Sequence, residues 1–183
     1  MSKILTVDVE KRFHEFLKSL EKAEIYSCDI EKMAKTASET DFDVIIINAP
    51  ENSSWEKSVV YLSEKTTAGI MVICSEEKFS EISQTMSPEG ICVIAGTTEC
   101  SVFLNSVCIL CITHARMNAI THKYNKLQLQ IEETRLINRA KCILIQYLKF
   151  TEPQAHRYIE KQAMDTRQSK ADVARNILMT YES

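Results

Sequence analysis

A long stretch without helix breakers constrains the fold of this chain most. The sequence contains only 3 Gly and 3 Pro, and none of them lies between Gly96 and Pro153. Proline interrupts a helix and glycine weakens it, so a stretch without either can continue as one helix. We predict a single helix from about Glu99 to about Lys149, roughly 75 Å long at the usual rise per residue.

Apolar residues divide this helix into two parts. Residues 100–112 are almost continuously apolar, which predicts burial on more than one side. Beyond them, apolar side chains alternate at three- and four-residue steps, the pattern of a coiled-coil seam. The seam consists of Met117, Ile120, Tyr124, Leu127, Ile131 and Thr134. A helix of this length needs a partner, so we predict a parallel homodimer; the alternative is a seam that packs inside one chain.

Cys108 and Cys111 form a C-x-x-C pair within the apolar part. A redox pair would be expected at a helix N-terminus after a strand, and a zinc site needs further ligands at suitable spacing. We therefore interpret both as buried structural cysteines. The 4 His are scattered and no glycine-rich phosphate loop occurs, so we expect no metal, no cofactor and no enzymatic activity.

The first half of the chain alternates short apolar runs with helical patterns. Continuous apolar runs of this length are typical of strands buried on both faces. Predicted strands are residues 4–7, 24–26, 44–47, 70–73 and 91–94; predicted helices lie around residues 13–20, 30–40, 56–64 and 76–86. Strands that alternate with helices predict a parallel sheet in a doubly wound α/β fold.

The order and spacing of these elements resemble the receiver domain of bacterial response regulators, which is flavodoxin-like. The resemblance implies two adjacent acids after the first strand, but here Asp8 is followed by Val9, and the next acid is Glu10. It also implies an aspartate that accepts the phosphoryl group, and Asn48 stands at that position.

Two further receiver positions are altered. Cys74, or Ser75 after a shift of one residue, stands where the family has a hydroxyl, and no lysine follows the fifth strand. Phosphoryl transfer to an aspartate needs a carboxylate nucleophile, Mg²⁺ held by acids and a cation for the phosphoryl oxygens. We interpret the domain as a pseudo-receiver that is not phosphorylated and signals through protein contact.

The last quarter of the chain predicts three short helices. Thr151 and Gln154 match a capping box around Pro153, and Ser169 with Asp172 marks the start of the third helix. The first apolar stripe is Leu136, Ala140, Ile143, Leu144, Tyr147 and Leu148. The second and third stripes are Ala155, Tyr158, Ile159 and Ala163, then Val173, Ala174, Ile177 and Leu178. Such small helices should pack against each other and against what precedes them.

Several residues in this quarter resemble the ANTAR family of RNA-binding modules in bacterial antiterminators. The match rests on Ala140-Lys141, on residues 151–159, on Ala163-Met164-Asp165 and on residues 172–178. The resemblance implies binding of paired hairpins in a nascent leader RNA, which prevents formation of a terminator. Candidate RNA-binding residues are Lys141, Arg157, Arg139, Gln154, Lys161, Arg167 and Lys170. We interpret Ala163 and Met164 more simply as core or close-approach residues.

The charge distribution fits a sensor joined to a nucleic-acid reader. The net charge is −3, but residues 1–116 contain 11 Lys/Arg against 18 Asp/Glu, whereas residues 135–183 contain 9 against 5. An acidic first half and a basic last quarter indicate different partners. We predict a pseudo-receiver domain at 1–112, a coiled-coil linker helix at 113–135 and an ANTAR domain at 136–183.

This layout resembles that of amidase-operon antiterminators, in which a ligand-sensing partner protein sequesters the regulator. Two alternatives stay open: a DNA-binding transcription factor of the response-regulator type, and a dimeric protein-interaction module whose basic tail is only a solvated surface. No signal peptide is recognisable, because Asp8 comes too early. We expect a cytosolic protein with no membrane partner and with its 7 Cys reduced.

Overall fold

A five-stranded parallel sheet organises the first half of the protein. The computed structural model describes residues 2–50 and 55–181. The strands are β1 (Ser2–Val7), β2 (Ala23–Cys28), β3 (Val44–Asn48), β4 (Gly69–Cys74) and β5 (Cys92–Ala95), in the order β2-β1-β3-β4-β5. All four strand pairs are parallel. The predicted doubly wound, flavodoxin-like sheet is confirmed, with the order reversal between β1 and β3.

Helices cover both faces of this sheet. They are α1 (Lys11–Leu17), α2 (Met33–Glu39, after a 3₁₀ turn at Ile30–Lys32), α3 (Glu56–Lys65), α4 (Glu76–Met86) and the first part of α5 (Cys100–Leu148). Helices α2, α3 and α4 share one hydrophobic core with Leu5, Ile45 and Val72. Helices α1 and α5 share the other with Ile4 and Ile46. Successive strand residues thus enter opposite cores, as the pleat requires.

The predicted long helix is confirmed: α5 runs over 49 residues without a break. The chain divides into two compact units, Met1–Ile120 and Thr121–Ser183, and each part of α5 is described with its own unit. Helix α5 is continuous through residues 112 and 135, the predicted domain boundaries. The helix itself therefore does not mark the predicted division into three domains. That division stays a prediction.

In the first unit, α5 packs on the sheet with one side only. Phe103 and Val107 are fully buried, whereas Val102, Ile109 and Ile112 are 53–63% exposed. The side that faces the sheet is buried, as predicted, because α1 and the sheet cover that face of the helix. Burial of the opposite side against a partner stays a prediction.

The interpretation of the C-x-x-C pair needs a correction. Cys108 is exposed and Cys111 is partly buried, so Cys108 is not a buried structural residue. Burial raises the pKa of the Cys111 thiol, which favours its uncharged form.

A hydrogen-bond network joins α5 to the amino-terminal end of the sheet. His114, 4% exposed, lies with Nδ1 3.0 Å from Asp43 Oδ1 and Nε2 2.9 Å from Asn118 Nδ2. An amide NH₂ can only donate, so Nε2 accepts and the imidazole donates from Nδ1 to Asp43. The Lys3 N–H also donates to Asp43, and the Thr67 hydroxyl donates to Asn118. These bonds orient α5 against β1, β3 and β4.

The second unit is a three-helix module. It contains the rest of α5, α6 (Glu152–Thr166) and α7 (Lys170–Tyr181). Its core consists of Ala140, Ile143, Leu144, Ala155, Ile159, Ala163, Val173, Ala174, Ile177 and Leu178. The predicted stripes are confirmed except at Tyr147, Leu148 and Tyr158, which are exposed. Two of them keep contacts at the edge of the core, since Tyr147 packs against the ring of Tyr181 and Tyr158 against that of Phe150.

The predicted helix starts are confirmed. Thr151 and Gln154 form a reciprocal capping box, in which the Thr151 N–H donates to Gln154 Oε1 at 2.8 Å. The Asp172 N–H donates to the Ser169 hydroxyl oxygen at 3.1 Å. Left-handed residues stand at the preceding helix ends, Lys149 at φ 58° and Arg167 at φ 54°. The loops between α5 and α6 and between α6 and α7 are short. The left-handed residue that ends one helix is therefore followed almost at once by the residue that caps the next helix.

Helix α5 is long and apolar enough, by length and composition alone, to cross a membrane. Core helices of soluble proteins meet the same criterion, and α5 buries Phe103 and Val107 on the sheet. Length and composition are therefore weak evidence for a membrane helix here.

Candidate nucleic-acid interface

The receiver positions meet at the carboxyl ends of the strands. Glu10, Asn48, Cys74 and Lys78 line one cleft there. Asn48 presents a carboxamide, which lacks the anionic oxygen of a carboxylate nucleophile. Lys78 belongs to α4, so a cation does reach this cleft, although from a helix and not from the loop after β5 as in receivers.

The carboxylate of Asp8 binds the backbone and is not arranged like that of a metal-binding acid. It has a left-handed backbone (φ 50°), and its Oδ2 accepts the Ile30 N–H at 3.0 Å. The carboxylate therefore closes the turns after β1 and β2. Among the described residues, no group of three or more His, Cys, Asp or Glu could hold a metal ion.

Arg12 holds the loop that follows β5. Its guanidinium donates to the carbonyl oxygens of Gly96 at 3.0 Å and Thr98 at 2.8 Å, and lies over the rings of Phe13 and Phe16. Bidentate contact and ring stacking suit a guanidinium better than an ammonium. The segment that leads into α5 is thus fixed by contacts within the protein.

The second unit contains the predicted RNA-binding residues, and Lys141, Gln154 and Lys170 among them contact other residues of the module. The Lys141 side chain is 16% exposed, and its ammonium lies 2.7 Å from Glu152 Oε1 and lowers the pKa of that carboxyl through the hydrogen bond. Lys170 contacts Glu160 at 2.6 Å and lowers its pKa in the same way. Gln154 is engaged in the capping box. The Lys141 and Lys170 contacts each join two helices of the module, whereas Gln154 caps the start of α6 itself.

The other predicted cations are exposed. Arg139 lies on α5, Arg157 and Lys161 lie on α6, and Arg167 is the residue at which α6 ends. Arg157 and Lys161 are four residues apart and therefore lie on the same side of α6. That side is opposite the one on which Ala155, Ile159 and Ala163 enter the core. They form the basic outward face of α6.

Met164 continues this outward face and was misjudged from the sequence. It is 78% exposed, so its interpretation as a core residue is wrong. Its position three residues after Lys161 and seven after Arg157 was the signal that would have found it. The exposed Met164 provides a polarizable apolar contact beside Lys161, and the exposed Asp165 follows it on the same helix.

The seam residues of α5 are all exposed in the single chain. Their exposed fractions lie between 49% and 59% for Met117, Ile120, Tyr124, Leu127 and Ile131. Residues off the seam are exposed as well, with Leu129 at 60%, so the parallel dimer through this seam stays a prediction.

A family model described as the ANTAR domain matches residues 125–178. The match begins within α5 and ends in α7, so it covers all three helices of the second unit. The C-terminal segment is an ANTAR domain. ANTAR domains are RNA-binding modules of transcription antitermination, and the match identifies a regulatory segment of the chain.

The receiver-like part has a structural relative. The adenylate cyclase from Rhodopirellula baltica, a solved structure, is similar with a TM-score of 0.57 and 11% sequence identity. The similarity covers 69% of this chain and 97% of that one, and at this identity it concerns the fold alone. No curated protein matches the sequence.

Proposed function

We propose that this protein is a transcription antitermination regulator that binds paired hairpins in a nascent leader RNA and prevents terminator formation. The observation that carries the proposal is the ANTAR domain at residues 125–178. Its helix α6 also exposes two cations, Arg157 and Lys161. Helical surfaces with cations and polar side chains suit the phosphates and splayed loop bases of RNA. The protein would act in the cytosol.

Within the module, the seven candidate residues take two roles. Arg157 and Lys161, with Arg139 and Arg167, would contact RNA directly, because their side chains reach solvent. Lys141, Gln154 and Lys170 would orient the helices that carry the direct contacts, since each is bonded within the module. Lys141 can still contribute positive potential near the surface, because its side chain is not fully buried.

Control would come from the pseudo-receiver without phosphorylation. The carboxamide of Asn48 and the structural role of Asp8 support this, as does the fixed loop after β5. A ligand-sensing partner protein that sequesters the regulator would be the source of the signal. Two ANTAR modules would be presented together by a parallel homodimer formed through the exposed seam of α5.

The test is binding to hairpin RNA and to duplex DNA of matched length, at several salt concentrations up to about 0.15 M. We expect tight binding to hairpins and loss of DNA binding by the highest salt. Arg157→Ala and Lys161→Ala should each weaken hairpin binding and reduce the salt slope by about 1. Lys35→Ala, which removes the same charge from an exposed position in the first unit, is the control.

Lys141→Ala needs its own control, because it removes a cation and an ion pair together. Glu152→Gln removes the same ion pair and keeps the cation. If Lys141 contributes to RNA binding through its charge, only Lys141→Ala should lower the affinity. Equal binding of duplex DNA and hairpin RNA, or no effect of Arg157→Ala and Lys161→Ala in folded protein, would contradict the proposed function.

A further inference from the structure

The cleft at the carboxyl ends of the strands extends beyond the altered receiver positions. Its volume is about 510 Å³, which lies within the usual range of small-molecule sites. The start of α3 and one side of α4 line it, and Trp55, Ile73 and Met86 are buried side chains of the lining. Ligands of open α/β sheets bind at this end of the strands. The cleft therefore has the position and the size for a small organic ligand.

Three carboxylates line the cleft, and each comes from a different element. Glu10 precedes α1, Glu56 is the first residue of α3, and Glu81 lies on α4. Within residues 2–50 and 55–181, none of these three carboxylates forms a hydrogen bond or an ion pair. Unpaired carboxylates around one cleft repel each other, so a cation that enters between them relieves the repulsion.

The positive charges at this edge of the sheet are already balanced. Lys78 also lines the cleft, but its side chain has a contact of its own. The N-termini of α3 and α4 lie at the same edge and contribute partial positive charge. Glu76 and Glu77 lie in the first turn of α4 and offset that charge. The uncompensated charge of the lining is therefore negative, which favours a cationic ligand over an anionic one.

The arrangement suits an organic cation better than a metal ion. Mg²⁺ needs several oxygen ligands at about 2.0–2.1 Å, and no group of three or more His, Cys, Asp or Glu in the described segments could hold a metal ion. Glu10 and Glu81 are exposed, whereas Ile82 and Met86 are buried in the same lining. An organic cation matches both kinds of surface, because its charged group pairs with carboxylates while its carbon chain contacts apolar side chains and the ring of Trp55.

We propose that this cleft binds a small organic ammonium compound, with its charged group among the three carboxylates and its carbon chain on the apolar lining. The pseudo-receiver then receives a chemical signal directly, at the place where receivers accept a phosphoryl group. A ligand that contacts Glu10, Glu56 and Glu81 links the loop after β1 to α3 and α4. The inference goes beyond the proposed function and does not rest on RNA binding.

The experiment titrates the full chain with three probes of equal chain length, hexylammonium chloride, 1-hexanol and sodium hexanoate. Trp55 is the one tryptophan of the chain and lines the cleft, so its fluorescence reports on occupancy. We expect saturable binding of hexylammonium with a dissociation constant on the order of 1 mM or lower, as is usual for so small a ligand. Hexanol lacks the charge and should bind about fivefold more weakly, and hexanoate should not bind.

Glutamine variants remove the charges one at a time and keep the shape of the side chain. Glu10→Gln, Glu56→Gln and Glu81→Gln should each weaken hexylammonium binding about two- to fivefold, and the triple variant on the order of tenfold or more. Hexanol binding should stay the same in all of them. Glu64→Gln, exposed near the other end of α3 and outside the cleft, is the matched control and should bind hexylammonium like the parent. Thermal melting establishes that each variant is folded.

Three results would overturn the inference. The first is the absence of saturable hexylammonium binding up to about 10 mM, roughly ten times the expected dissociation constant. The second is hexanol or hexanoate binding as tight as that of hexylammonium, because the carboxylates would then not select the ligand. The third is a folded triple variant that binds hexylammonium like the parent. If the triple variant does not fold, the single variants and the three probes on the parent protein decide the question.

Discussion

Replacing Gly69 by alanine tests how closely α5 lies on the sheet. Gly69 begins β4, and a Cβ built there would lie 2.7 Å from Leu110 Cβ and 3.3 Å from Leu110 Cα. Carbon atoms in contact prefer about 3.5–4.0 Å. Both Leu110 atoms are fixed to the helix backbone, so no side-chain rotation relieves the clash, and α5 must move by about 1 Å.

The magnitude follows from two opposing contributions. Overpacking of this kind costs about 1–3 kcal/mol, and alanine recovers about 0.4–1 kcal/mol by restricting the unfolded chain. We expect Gly69→Ala to lower the free energy of unfolding by about 1–2 kcal/mol. Adding Leu110→Ala should not restore it, because alanine keeps the Cβ that makes the closest contact.

The assay is urea unfolding followed by tryptophan fluorescence at constant protein concentration. Trp55 is the one tryptophan of the chain and is 4% exposed, so it reports on the first unit. Gly96→Ala is the matched control, since its Cβ would lie 3.5 Å from the Cys74 carbonyl oxygen, an ordinary contact. Equal stability of Gly69→Ala and Gly96→Ala would refute the close approach of α5 to β4.

Two further predictions concern the pseudo-receiver and the seam. Incubation with acetyl phosphate and Mg²⁺ should leave the intact mass unchanged, because Asn48 replaces the phosphoacceptor; a stoichiometric phosphoryl adduct lost in hydroxylamine would contradict this. Light scattering should give a dimer for the parent and a monomer for Ile120→Lys/Leu127→Lys, whose charges enter the seam. Leu129→Lys, exposed but off the seam, should remain a dimer. A monomeric parent at a protein concentration on the order of tens of micromolar would refute the dimer.

Most of the secondary structure could be predicted because its signals are local. The runs at Val44–Asn48 and Gly69–Cys74 are apolar on both faces, which is typical of central parallel strands. The unbroken α5 followed from the missing prolines and glycines, and the two helix caps followed from residues three positions apart. Such signals depend on neighbours along the chain and not on the final packing.

The environment of single side chains could not be predicted in the same way. Lys141 and Met164 both match family positions, yet the lysine is mostly covered and paired whereas the methionine is the more exposed of the two. Which face of a short helix is covered depends on the crossing of three helices. A shift of about 100° around a helix axis, one residue, exchanges core and surface.

The sequence by itself determined the α/β order, the single long helix, the helix caps and the altered receiver positions, because each depends on residue types at short spacing. Only the tertiary structure decided that Glu152 and Glu160 pair with Lys141 and Lys170. It also decided that α6 and α7 leave an open groove lined by uncharged side chains. Those contacts join residues about ten positions apart or more, on different helices, and arise only when apolar faces pack together and bring the polar edges into reach.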